Sequence, residues 1–114
     1  MTDPSSSCVF CQVATRALPA DEVRRDEEFV AFRDVQPRAE THVLVIPVRH
    51  HQHLDDWIAA GGSSDRMLEF VTSVAAELGI DGRYRLITNV GEGGGQVVPH
   101  LHWHLLAGTR LPGF

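Results

Sequence analysis

His100-Leu101-His102-Trp103-His104-Leu105-Leu106 alternates imidazoles with apolar side chains. Successive side chains of a β-strand point to opposite faces, so the run predicts a strand with His100, His102 and His104 on one face and Leu101, Trp103 and Leu105 on the other. The apolar face specifies the register, because a slip of one residue would bury three imidazoles. A stripe of solvated polar residues would not need histidine at all three positions, and the interleaved apolar residues exclude a purification tag. A three-histidine metal site is the second reading. Neighbours on one strand face lie about 7 Å apart, however, which makes it awkward for three to converge on an ion about 2 Å from each nitrogen. A nucleophile flanked by helpers fits better.

Upstream lies a glycine loop, Gly91-Glu92-Gly93-Gly94-Gly95-Gln96-Val97. Such a loop usually only joins strands. Four residues before the first histidine, Gly94-Gly95-Gln96-Val97 becomes a candidate phosphate cradle, since glycine lets backbone amides approach an anion closely. Further strands are predicted at 84–90, at 42–47 (stopped by Pro47), and at 22–25 and 29–34, the last two joined as a hairpin by Asp26-Glu27-Glu28. A short helical spacing covers Val9 to Val13, and 55–60 reads as a short helix. After Gly61-Gly62, Ser63 or Ser64 caps a helix whose Met67, Phe70, Val71, Val74, Ala75 and Leu78 share one face and which Gly79 closes. The fold class is therefore α+β: a largely antiparallel sheet of about five strands with one main helix and a short N-terminal helix.

With 114 residues the chain suits one domain over 8–114 behind a mobile segment 1–7. No apolar run is long enough to span a bilayer and the N-terminus lacks the pattern of a signal peptide, so a cytoplasmic location is expected. The net charge of −5 offers no broad positive field for a nucleic-acid polymer. The seven histidines are the compositional anomaly, six of them grouped at 50–53 and 100–104. The only cysteines, Cys8 and Cys11, can be read as a redox pair, two unrelated buried thiols or half of a zinc site. No strand precedes them as a thioredoxin-like motif requires, and a structural disulfide is not expected in the cytoplasm. Zinc would need two more ligands, for which histidines are the natural candidates.

The histidine run resembles the His-φ-His-φ-His-φ-φ signature of the histidine triad (HIT) family, where φ is apolar. Cys8-Val9-Phe10-Cys11, Ala31-Phe32-Arg33-Asp34-Val35, Thr41 to Pro47 and Asn89 through Gln96 agree in order and spacing, so the likeness covers residues 8 to 110. It is closest to the Hint-like nucleoside phosphoramidases of the bacterial zinc-containing type. The resemblance implies hydrolysis of a nucleoside phosphoramidate or a related mononucleotide conjugate, at the P–N or P–O bond of the α-phosphate. His102 would attack to give a covalent nucleotidyl-histidine, with His104 and His100 assisting. Neutral imidazole suits this role, since its reference pKa of about 6.5 leaves it mostly unprotonated near pH 7.

The resemblance also implies phosphate contacts from Asn89, Gly95, Gln96 and Val97, ribose contacts from Asp34, and a base pocket lined by Phe10, Val13, Leu18, Phe32 and Val35. It implies structural zinc on Cys8, Cys11, His50 and His100; His51 and His53 are alternative ligands that read more readily as exposed loop residues, and a His100 bound to zinc cannot also bind phosphate. It further implies a homodimer formed through the main helix and 84–90, with Phe114 as a candidate aromatic reaching the partner's site. At position 97 Hint-like relatives often carry serine, whose hydroxyl can assist the leaving group; Val97 cannot donate that proton. Two other functions fit the same residues: dinucleoside polyphosphate hydrolysis, and a non-catalytic zinc-stabilised nucleotide-binding or interaction module.

Overall fold

The structure is a computed structural model that describes residues 7–113. The anticipated mobile segment, apart from Ser7, and the anticipated role of Phe114 fall outside the described residues. The elements run α1 (Val9–Ala14), β1 (Glu22–Arg25), β2 (Phe29–Arg33), β3 (Thr41–Pro47), α2 (Leu54–Ala59), α3 (Ser64–Glu77), β4 (Arg85–Ile87), a 3₁₀ turn (Glu92–Gly94) and β5 (Trp103–Ala107). The five strands form one antiparallel sheet in the order β1-β2-β3-β5-β4, the α+β arrangement expected.

Local chemistry accounts for the turns. The Asp26 carboxylate accepts from the backbone N–H groups of Glu28 and Phe29, closing the β1–β2 hairpin. The Ser63 hydroxyl accepts from the Arg66 N–H at the start of α3, and Gly79 leaves its end with φ +72°. One face of α3 buries Met67, Phe70, Val71 and Val74 against Phe29, Ala31, Val43, Val45, Leu101 and Leu105 of the sheet region. Trp57 of α2 completes this layer, and its indole fills the space above Gly62, where a Cβ would fall inside the ring. Gly62→Ala is accordingly expected to destabilise the fold by about 1–3 kcal/mol, read as a lower urea midpoint at unchanged m-value.

The opposite face of the sheet is covered too. Phe10, Cys11, Val13 and Ala14 of α1 pack on Val30, Phe32, Leu44 and Ile46. Arg25 anchors the C-terminal end of α1, its guanidinium donating to the Ala14 carbonyl at 2.8 Å and the Val13 carbonyl at 3.3 Å. Glu22 pairs with Arg25 at 2.6 Å, and this hydrogen bond together with that from Arg16 lowers the Glu22 carboxyl pKa to about 2. Sandwiched between two layers, β3 buries every residue from His42 to Pro47, which explains the apolar run from Val43 onward.

Two expectations need correction. The strand expected over 84–90 is paired only at 85–87. The strand expected over 100–106 begins at Trp103: before it, the His100 N–H turns back to the Val98 carbonyl, and the Leu101 N–H bonds the His51 carbonyl rather than a ladder partner. Leu101 still faces the α3 layer and His104 the α1 layer, so the alternation survives without regular pairing. The histidine side is not open, because α1 covers it: His100 is 0% exposed and His102 6%.

Candidate active site and metal centre

Antiparallel register sets Leu44 opposite His104, which makes His42 its diagonal neighbour on the same face. Their rings lie 5.2 Å apart between centroids, and His42 Nε2 is 2.9 Å from His104 Nδ1. The direction of this hydrogen bond follows from the next link: the Arg38 N–H donates to His42 Nδ1 at 3.0 Å, so the His42 proton sits on Nε2 and is given to His104 Nδ1. His104 therefore carries its own proton on Nε2. Asp34 Oδ2 stands 3.4 Å from His42 Nε2, while Asp34 Oδ1 accepts from the Gln36 N–H.

His102 is fixed in the opposite sense. Its Nδ1 lies 2.8 Å from the His100 carbonyl, which can only accept, so the proton is on Nδ1 and the Nε2 lone pair is bare. The ring is flanked by His104 at 5.1 Å and by the edge-on ring of Phe10 at 5.1 Å. Burial is the largest cause in each case: it lowers the pKa of His42 and of His102 below the usual imidazole value, and it lowers that of His104 to about 4, so all three are neutral near pH 7. His104 thereby links stability to pH. Its folded pKa lies below its unfolded value, so the stabilisation is present above about pH 6.5 and is lost as pH falls toward about 4. The urea midpoint is expected to drop between pH 7 and pH 4.5, and to drop less in His104→Gln.

The His100 ring serves a second cluster. His100 Nε2 lies 3.0 Å from the Pro47 carbonyl, which places the proton there and turns bare Nδ1 toward Cys8 Sγ at 3.3 Å and Cys11 Sγ at 3.4 Å. His50 Nδ1 is 3.2 Å from Cys11 Sγ, and the four donor atoms all lie within 4.8 Å of one another. Tetrahedral zinc with usual bond lengths needs thiolate and imidazole donors about 3.5 Å apart, so these residues can hold such an ion with little movement. The Pro47 carbonyl supplies the outer hydrogen bond that metal-bound histidines commonly make. His51 and His53 stay outside the cluster, and His53 Nδ1 instead accepts from the Asp56 N–H at the start of α2. Asp34, His42 and His104 also lie within 4.8 Å of one another. That group is no metal centre, because the Arg38 N–H occupies His42 Nδ1 and keeps the proton on the Nε2 that would have to bind.

The glycine loop folds on itself. The Gly94 and Gln96 N–H groups donate to the Gly91 carbonyl, and that of Gly95 to Glu92. Gln96 is locked, its Oε1 accepting from the Gly91 N–H and its Nε2 donating to the carbonyls of Gln52 and Val98. Its side chain is thus committed to closing the loop, together with the amides of Gly91, Gly94, Gly95 and Gln96. The Thr88 hydroxyl donates to the His102 carbonyl at 2.8 Å, fastening the segment that precedes Asn89 to the triad strand. Phe10, Val13 and Phe32 share one buried cluster, whereas Leu18 lies at the surface and Val35 and Val97 are 94% and 89% exposed. Sequence reading missed His42. A histidine opening an otherwise apolar buried strand was the signal, but only the strand register reveals that it faces His104.

A HIT domain model matches residues 15–111, and the chain belongs to this family of histidine triad proteins. It is 40% identical over 108 residues to an uncharacterized HIT-like protein of Synechococcus elongatus, covering 94% of this chain and 95% of that one. A histidine triad protein from Clostridium difficile superposes with a TM-score of 0.83 at 35% identity, covering 100% of this chain and 99% of the other. A HIT family hydrolase from Legionella pneumophila superposes with 0.80 at 36% identity, covering 93% and 96%.

Proposed function

We propose that this chain hydrolyses nucleoside phosphoramidates or related mononucleotide conjugates through a nucleotidyl intermediate on His102. The observation that carries this reading is the pair of opposed tautomers: a bare Nε2 on His102 beside a protonated Nε2 on His104. The His102 lone pair attacks phosphorus and the bond to the leaving group breaks; the neutral His104 ring donates its Nε2–H as a hydrogen bond to a phosphoryl oxygen, and the departing amine takes its proton from water. A second water then attacks phosphorus and breaks its bond to His102, releasing the nucleotide and a proton to solvent and restoring the ring. The backbone amide of Val97, as the resemblance implies, would take up charge on the phosphoryl oxygens with that of Val98 beside it, while Gly95 and Gln96, also in the implied cradle, spend their amides within the loop. Asn89 would border this cradle, Asp34 would receive the ribose hydroxyls, and Phe10, Val13 and Phe32, with Leu18 and Val35 at the rim, would accommodate the base.

Zinc on Cys8, Cys11, His50 and His100 is part of the same reading, as a structural ion tying α1 to the sheet. So is a homodimer, supported by the position of β4 at one end of the sheet among the described residues and by Leu68 exposed on α3. No helix among the described residues is long and apolar enough to cross a membrane, and unbridged thiols fit a reducing, cytoplasmic setting. Val97, where a hydroxyl would assist the leaving group, favours one second reading: nucleotide binding with slow turnover.

The deciding experiment incubates the protein with an adenosine phosphoramidate. Release of AMP, with transient addition of one nucleotide mass to the peptide containing His102, is expected. AMP released without any adduct in rapid-quench samples would refute the covalent route. A higher kcat/KM for a dinucleoside polyphosphate would reassign the substrate.

A further inference from the structure

His100 belongs to two clusters at once. Its ring faces the thiols of Cys8 and Cys11, while its carbonyl accepts the His102 Nδ1 proton. A second link runs alongside. Phe10 lies between the two cysteines in sequence, and its ring meets His100 at 6.0 Å, His102 at 5.1 Å and Phe32 at 5.7 Å, each near edge-on. The segment that brings the thiols to the cluster therefore also presses an aromatic ring against the candidate nucleophile. α1 is short, six residues, too few to hold its helical form from propensity alone. The N-terminal tether of this segment to the core is the cysteine pair itself, with Cys8 capping the helix through the Cys11 N–H.

We propose that the Cys8, Cys11, His50 and His100 cluster, closed around zinc, is the element that holds the His102 ring in its reacting posture, with His100 and Phe10 as positioning residues. This rests on the reading of His102 as nucleophile and of the cluster as a zinc site. Closure fixes the His100 main chain through its ring and fixes Phe10 through both cysteines, so the Nδ1–H bond and the Nε2 lone pair of His102 keep one orientation. Opening of the cluster releases both restraints together, and His102 then samples both tautomers.

The test uses the full chain labelled with ¹⁵N and long-range ¹H–¹⁵N correlation of the imidazoles, with no substrate present. In zinc-loaded protein His102 should show a single Nδ1–H tautomer. Removal of zinc with a chelator should mix the tautomers and speed exchange of the Nδ1 proton roughly five- to tenfold, the effect of losing one oriented hydrogen bond. Zinc-loaded Phe10→Leu should give the same mixing at unchanged metal stoichiometry, and Phe10→Tyr should restore the single tautomer.

His102 signals that stay put on chelation, while those of His50 and His100 move, would reduce the cluster to a staple and overturn the proposal. If the chelated protein unfolds, the Phe10→Leu arm decides, and an unchanged His102 tautomer there is equally fatal. A chain that takes up no zinc also refutes it. Because the readout needs no turnover, lack of phosphoramidase activity would count against the proposed function and leave this inference standing.

Discussion

Replacement of His102 by asparagine is expected to lower kcat/KM for an adenosine phosphoramidate by about 10⁴-fold or more, while leaving nucleotide affinity within a few-fold. Asparagine is chosen because its amide can still donate to the His100 carbonyl, which keeps the local hydrogen bond and removes only the nucleophilic lone pair. His102→Ala should lose as much activity but also some stability, since the ring is buried between Phe10 and His104. The contrast isolates chemistry from folding. His104→Ala should cost less, about 10² to 10³-fold, as expected for loss of a hydrogen-bond donor to the phosphoryl oxygens when the nucleophile is intact. A His102→Asn protein that still released AMP at the wild-type rate would remove the proposed mechanism altogether.

Loss of the metal should be the largest effect on stability. Structural zinc contributes about 10–16 kcal/mol of apparent binding energy in zinc-finger peptides, where no other core exists. Here two apolar layers already cover the sheet, so the expected loss is smaller, about 3–5 kcal/mol, equivalent to roughly 10–20 °C in Tm for a domain of this size. Thermal unfolding with and without chelator, alongside elemental analysis for one zinc per chain, measures it. Cys11→Ser should reproduce the chelated curve, because Cys11 Sγ approaches both His50 and His100. Absence of bound zinc together with an unchanged Tm would discard the metal and leave only hydrogen-bonded thiols and imidazoles.

Much of this architecture was legible in the residues themselves. The alternation in 100–106 identified which side chains share a face, and the α3 spacing identified its buried side. These readings depend only on local periodicity. What escaped depends on contacts distant in sequence. The irregular entry into β5 follows from the His51 carbonyl capturing the Leu101 N–H, fifty residues away in the chain. The commitment of Gln96 follows from the Gln52 carbonyl, forty-four residues earlier, taking its amide. The burial of the histidine face follows from α1 folding over the sheet, which no strand pattern can announce. Within the candidate site, the HIT resemblance supplied the triad and the four candidate metal ligands, but His42 became visible only through the pairing of β3 with β5.

The relay from Arg38 through His42 to His104 has a blind end. It starts at a peptide N–H, which does not surrender its proton near neutral pH, so no proton can be fed to His104 from behind. Under the proposed reaction, His104 can therefore lend its Nε2–H as a hydrogen bond but cannot spend it, since giving that proton up would leave an imidazolate with nothing behind it to make good the loss. The departing amine has to take its proton from water that reaches the site. Release of the leaving group would then be tied to solvent access, and solvent isotope effects should accordingly concentrate in the step that frees the amine.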